Sequence, residues 1–170
     1  MAMNEQLIKI FEYALNQEKT GLSFFETSLH RLGIGAAVTA FNKLIEEEKK
    51  HVIFITNIIN DLKQGGDISV KSIESVAITP TNFFDERAKS EFMAQSVEQA
   101  MTPDISVFHT AMLIERDLSA FYAKMAEQLE GAKAKEAFTM LSNWEKGHER
   151  FFAQIHEDLA KEYEGMPWGG

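Results

Sequence analysis

Two short motifs of the form Glu-x-x-His stand in this chain, each with a lone Glu 30 residues before the Glu of the motif. The first set is Glu18, Glu48 and His51; the second is Glu115, Glu145 and His148, every member 97 residues after its counterpart. Carboxylate oxygens and imidazole nitrogens are metal ligands. Four carboxylates and two imidazoles projecting inward between four helices form the donor list of a dinuclear site. With no sulfur among the donors, iron or manganese suits the set, and zinc could also bind. Four carboxylate charges balance two divalent cations while both imidazoles stay neutral. Two of the Glu residues can then bridge the ions, with coordination positions left open for dioxygen or peroxide.

The elements that must hold these residues repeat along with them. Ala14, Phe24, Ala40, Phe41, Leu44, Phe54, Asp61 and Leu62 recur 97 positions later as Ala111, Phe121, Ala137, Phe138, Leu141, Phe151, Asp158 and Leu159. No gap interrupts the match, so the chain reads as a duplicated helical hairpin. Four segments carry apolar residues at steps of three and four, the period of a helix with one buried face. Leu7, Phe11, Ala14 and Leu22 mark the first; Phe41, Leu44, Ile55 and Ile58 the second; Phe108, Met112, Ser119 and Tyr122 the third; Phe138, Leu141, Phe152 and Ile155 the fourth. All six candidate ligands fall on these stripes.

Breaks lie where the hairpins need them. Gly33 and Gly35 divide the first pair of helices, Gly131 divides the second, and Gly65–Gly66 ends the second helix. Thr102–Pro103–Asp104 is a helix start, with proline in the first turn and an acid near the positive end of the dipole. A long crossover from Asp67 to Met101 contains an extended or irregular stretch over 68–79 and a shorter fifth helix over about 83–100. It lets the second and third helices run parallel. The expected architecture is all-α, a ferritin-like four-helix bundle of two repeated antiparallel hairpins with a crossover carrying a short extra helix. One domain spans 1–170, with repeat one over about 4–64, the crossover over 65–102 and repeat two over about 103–163.

Geometry and energetics both group the six residues. Glu18 and Glu48 lie 15 residues on either side of Gly33, so both sit about 22 Å from the turn at the helical rise. Glu115 and Glu145 flank Glu130 in the same way. Within each motif a step of three keeps carboxylate and imidazole on one face. Burying an ionised carboxylate without a partner costs several kcal/mol. The inward stripes carry no Lys or Arg to serve as that partner, so metal is the counter-charge. Glu46 and Glu47 are excluded as alternatives to Glu48, because their counterparts are Asn143 and Trp144. Tyr122 lies on the ligand face and can hydrogen-bond a ligand carboxylate, whereas its counterpart Phe25 cannot. His30, His109 and His156 read as surface or satisfied residues.

Composition narrows the partners. The net charge of −9 argues against nucleic acid, which needs a basic face. The absence of cysteine removes disulfides, thiolate-held zinc, iron–sulfur clusters and thiol chemistry. The most apolar run, Val52–Ile59, is far too short to span a membrane, and the N-terminal residues lack a secretory pattern. The expectation is a cytoplasmic protein without a membrane partner.

The segments LNQEKTGLSFFETSL, LIEEEKKH, LIERDLSAFYAKMAE and NWEKGHERFF resemble the rubrerythrin family of the ferritin-like superfamily. The resemblance covers the four main helices. It implies terminal ligands at Glu18 and Glu115, bridging ligands at Glu48 and Glu145, and imidazole ligands at His51 and His148. Two departures stand out. The four-cysteine iron domain that usually passes electrons to the centre has no counterpart here, so a reductant must be external. The additional Glu usually found three residues after the third-helix ligand is Leu118 in this chain. The expected activity is that of a non-haem diiron oxidoreductase acting on peroxide or dioxygen with an external electron donor. A ferroxidase or iron-sequestering protein, a dimanganese catalase, and a helical interaction protein with a structural metal are the alternatives. A homodimer or larger assembly is expected.

Overall fold

The computed structural model describes residues 2–32, 36–69 and 102–165. They form four helices: α1 (Ala2–Leu29), α2 (Ala36–Lys63), α3 (Thr102–Gln128) and α4 (Ala132–Gly165). No strand occurs among the described residues. The expected short helix over 83–100 lies outside them, as do Gly33 and Gly35.

Contacts between helices fix their directions. Lys63 reaches Glu12 at 2.7 Å and Lys49 reaches Glu26 at 3.0 Å, so α1 and α2 are antiparallel. Arg116 pairs with Glu149 at 2.8 Å, and Ser119 and Ser142 each donate a hydroxyl to the other's carbonyl, so α3 and α4 are antiparallel too. Across the hairpins, Phe41 of α2 meets Phe152 of α4 and Phe54 of α2 meets Trp144 of α4, so α2 is antiparallel to α4 and runs the same way as α3. This is the all-α ferritin-like bundle that the duplicated hairpins and long crossover imply.

Local chemistry ends the helices where the sequence placed the breaks. At the end of α2, Gly65 adopts φ +76°, which costs a residue without a Cβ little. Its N–H bonds the Leu62 carbonyl and the Gly66 N–H bonds the Asp61 carbonyl, satisfying two of the open carbonyls of the last turn. Gly131, at φ +119°, lies between α3 and α4 and accepts the first bond of α4 from the Lys135 N–H.

Two apolar clusters fill the bundle. One gathers Phe11, Phe54, Ile58, Tyr122, Phe138 and Leu141 with their neighbours. The other gathers Phe25, Phe41, Leu44, Phe108, Phe152 and Ile155. The candidate ligands occupy the heights between them, so the polar centre is capped by hydrocarbon at both ends. No helix of the described residues is long and apolar enough to cross a membrane.

Candidate metal centre

Each helix contributes to one buried cluster. Glu18 comes from α1, Glu48 and His51 from α2, Glu115 from α3, and Glu145 and His148 from α4. All four carboxylates are fully buried, and the imidazoles of His51 and His148 are 3% and 4% exposed. The structure therefore brings together all six residues singled out by spacing.

The two halves interlock. His51 Nδ1 lies 3.4 Å from Glu48 and 3.7 Å from Glu18 of its own hairpin, and 2.9 Å from Glu145 of the other. His148 Nδ1 lies 3.2 Å from Glu145, 3.5 Å from Glu115 and 3.0 Å from Glu48. Two four-residue groups result, in each of which one donor atom per residue falls within 4.8 Å of the others. One is Glu18, Glu48, His51 and Glu145; the second is Glu48, Glu115, Glu145 and His148. Glu48 and Glu145 belong to both, the placement of shared carboxylates. Glu18 and Glu115 belong to one group each.

The donor atoms are poorly served by the protein itself. Glu18 Oε2, both oxygens of Glu48 and of Glu115, and Glu145 Oε1 have no hydrogen-bond partner among the described residues. His51 Nδ1 approaches Glu145 to 2.9 Å, but the contact misses hydrogen-bond alignment and is one of charge. Buried carboxylate oxygens are costly to leave without a partner, and nearly all buried polar groups have one. Oxygen and nitrogen donors converging in two overlapping sets fit a pair of divalent cations.

Without cations, protons must do the neutralising. Burial, then the nearby Glu145 charge, lifts Glu18 to a pKa of about 8. Burial and the Glu48 charge push Glu115 well above the usual carboxylate range. Burial also opposes ionisation of Glu48 and Glu145, but the two imidazoles outweigh it and hold both acids below that range. Burial alone would depress His51 and His148. Glu145 and Glu48 around His51, and the close Glu115, Glu145 and Glu48 carboxylates around His148, raise both rings well above the ordinary value instead. The bare cluster thus settles with two protonated acids, two carboxylates and two imidazolium rings, a neutral sum.

Further side chains fix the cluster. The Tyr122 hydroxyl donates to Glu18 Oε1, which realises the contact its position on the ligand face made available. Phe25, its counterpart in the first repeat, packs in the apolar core, so the two halves differ. Trp144 stacks on His51 with centroids 4.9 Å apart and planes 11° apart, and His51 stacks on His148 at 5.5 Å and 15°. The indole is half-buried and meets Phe54 edge-on. Sequence reasoning gave Trp144 no role. Its one signal was that the repeat places Glu47 at the matching position.

The rubrerythrin family model matches residues 9–156, nearly the whole of the bundle. This chain belongs to the rubrerythrin family. Comparison with the curated proteins and with the solved structures gave no significant match. Membership makes the chain a diiron-carboxylate ferritin-like protein, and the buried Glu/His cluster is the place able to hold its metal centre. Measured against the rubrerythrin pattern, Leu118 stays apolar in the structure: it is buried beside Tyr122 and Phe138 in the core.

Proposed function

We propose that the protein is a non-haem diiron oxidoreductase that reduces peroxide or dioxygen with electrons from an external donor, working as a homodimer or larger assembly. The observation that carries this reading is the pair of overlapping donor sets sharing Glu48 and Glu145, with carboxylate oxygens that lack hydrogen-bond partners among the described residues. Glu18 and His51 would hold one iron, Glu115 and His148 the other, with Glu48 and Glu145 between them. Bound irons would supply one electron each and open positions for a small oxygen species.

The remaining work falls to the side chains. Tyr122 restrains Glu18 through its hydroxyl, and Trp144 restrains the plane of the His51 ring. The apolar clusters on both sides exclude water, which strengthens every charge interaction inside. Between α1 and α3 a groove of about 500 Å³ is lined by Gly21, Phe24, Ile114, Leu118 and Phe121 among others. Gly21 and Leu118 each stand three residues from a terminal acid, Glu18 and Glu115. The groove supports an approach route for a small, weakly polar oxidant beside those two acids. Glu where Leu118 stands would have made that wall acidic.

The test begins with anaerobic loading of ferrous iron, followed by peroxide or dioxygen in stoichiometric amounts. The expected result is a rise of ferric absorbance within seconds, reversed by an added one-electron reductant. Absence of any ferric signal over minutes, in protein shown to hold two irons, would overturn the proposal. Release of dioxygen from peroxide by manganese-loaded protein without a reductant would favour the dimanganese catalase reading instead.

A further inference from the structure

His109 and His156, read from sequence as surface or satisfied residues, meet across α3 and α4 with ring centroids 4.7 Å apart and planes at 43°. Forty-seven residues separate them in the chain, and only the antiparallel packing of the two helices joins them. His109 is exposed and His156 is half-buried, so solvent reaches the pair. Neither ring makes a hydrogen bond or ion pair among the described residues. On the same two helices, Arg116 is held by Glu149 at 2.8 Å and Glu157 by Lys161 at 2.7 Å.

The internal repeat shows what this location does when it is structural. The counterparts of His109 and His156 are Glu12 and Ile59. Glu12 takes a salt bridge from Lys63 at 2.7 Å, and Ile59 is buried in the core. In the second repeat Ala160 stands where Lys63 stands, so the cation is gone. Acid, cation and apolar side chain have been exchanged together for two imidazoles and a methyl. Two adjacent imidazoles are a chelating pair for borderline divalent ions, and hard ions that require oxygen cages gain nothing from them. Burial and the proximity of His109 hold His156 below its ordinary pKa, which keeps a nitrogen lone pair available at neutral pH.

We propose that His109 and His156 form a second, surface metal site that takes one divalent transition ion such as zinc or copper(II). Water completes its coordination. It is separate from the buried centre: Glu115 lies six positions beyond His109 on α3, about 9 Å along the helix. With only two protein ligands, the ion is exchangeable. The site holds whether or not the central cluster performs redox chemistry.

The experiment is a titration of the full-length protein with zinc, comparing wild type with His109→Ala, His156→Ala and the double variant. The buried centre takes the same number of ions in all four proteins. The wild type is expected to bind one more equivalent than the double variant. Either single variant should bind that additional ion about 100-fold more weakly, because the second imidazole acts at high effective concentration once the first is bound. Magnesium should add no equivalent. A second readout needs no variant: imidazole proton resonances of His109 and His156 should shift together on zinc addition, while that of His30 stays still. Equal zinc stoichiometry in wild type and double variant, or zinc shifts that leave His109 and His156 unmoved, would overturn the proposal.

Discussion

Loading the buried centre with metal should expel about four protons. Without metal, Glu18 with its pKa of about 8 and Glu115 are protonated at neutral pH, and His51 and His148 are imidazolium. Metal ligation requires ionised carboxylates and neutral imidazoles, so each of these four groups must lose one proton when two divalent ions bind. Glu48 and Glu145 are already ionised and release none. Two protons leave per ion, so affinity at each position should rise about 100-fold for each pH unit, as long as these groups remain protonated in the free protein. The proton count follows from how the fold solves its charge problem: one neutral arrangement, made with protons, is exchanged for another, made with cations. Manganese(II) is a suitable probe because it adds no redox step. Calorimetric titrations at pH 7 in buffers of different ionisation enthalpy give the count directly, as the slope of observed heat against buffer enthalpy. A slope near four supports the argument. A slope near zero, in protein that binds two ions, would show that the acids sit ionised in the interior and would refute it.

The same protons set the stability of the metal-free protein. Glu18, Glu115, His51 and His148 have raised folded pKa values, so their contributions are present at low pH; that of Glu18 is lost as pH rises from about 4.5 through its folded value of about 8, that of Glu115 declines from about 4.5 upward, and those of the two imidazoles decline only above about 6.5. Glu48 and Glu145 are depressed, so theirs is lost as pH falls below about 4.5; urea midpoints should peak in mild acid and decline toward pH 8, and saturating manganese should abolish that decline. Glu145→Gln removes a carboxylate common to both donor sets and should reduce metal content from two ions to fewer than one by elemental analysis, whereas Glu115→Gln should spare one ion. Tyr122→Phe keeps the ring but deprives the buried Glu18 of its donor, and urea denaturation of metal-free protein should show a loss of about 1–3 kcal/mol. The chain has two tryptophans, so Trp168→Phe leaves Trp144 alone; its emission should be quenched on cobalt(II) loading because the indole stacks on His51, and unchanged emission would place the ion away from that ring.

Sequence revealed most where the relevant geometry is local. A three-residue step on a helix puts Glu48 beside His51 and Glu145 beside His148 with no knowledge of the fold, and equal spans around two turns bring their partners Glu18 and Glu115 level. The repeat then removed the ambiguity among Glu46, Glu47 and Glu48. The contacts that give the cluster its asymmetry depend instead on how helices from different hairpins pack. Trp144 lies 93 residues from His51, and nothing in the run of α4 says which face of α2 its indole will cover. His109 and His156 belong to one hairpin, yet their meeting depends on the exact sideways register of α3 against α4, which the reciprocal Ser119–Ser142 bonds help to fix. The departures from repeat symmetry nevertheless coincide with these places: Trp144 stands where the first repeat has Glu47, Tyr122 where it has Phe25, and His109 and His156 where it has Glu12 and Ile59. A duplicated chain keeps equivalent residues where the shared bundle needs them. Where the copies diverge into aromatic or imidazole side chains that touch one another, packing alone no longer accounts for the choice, and chemistry particular to one half of the molecule is the better explanation.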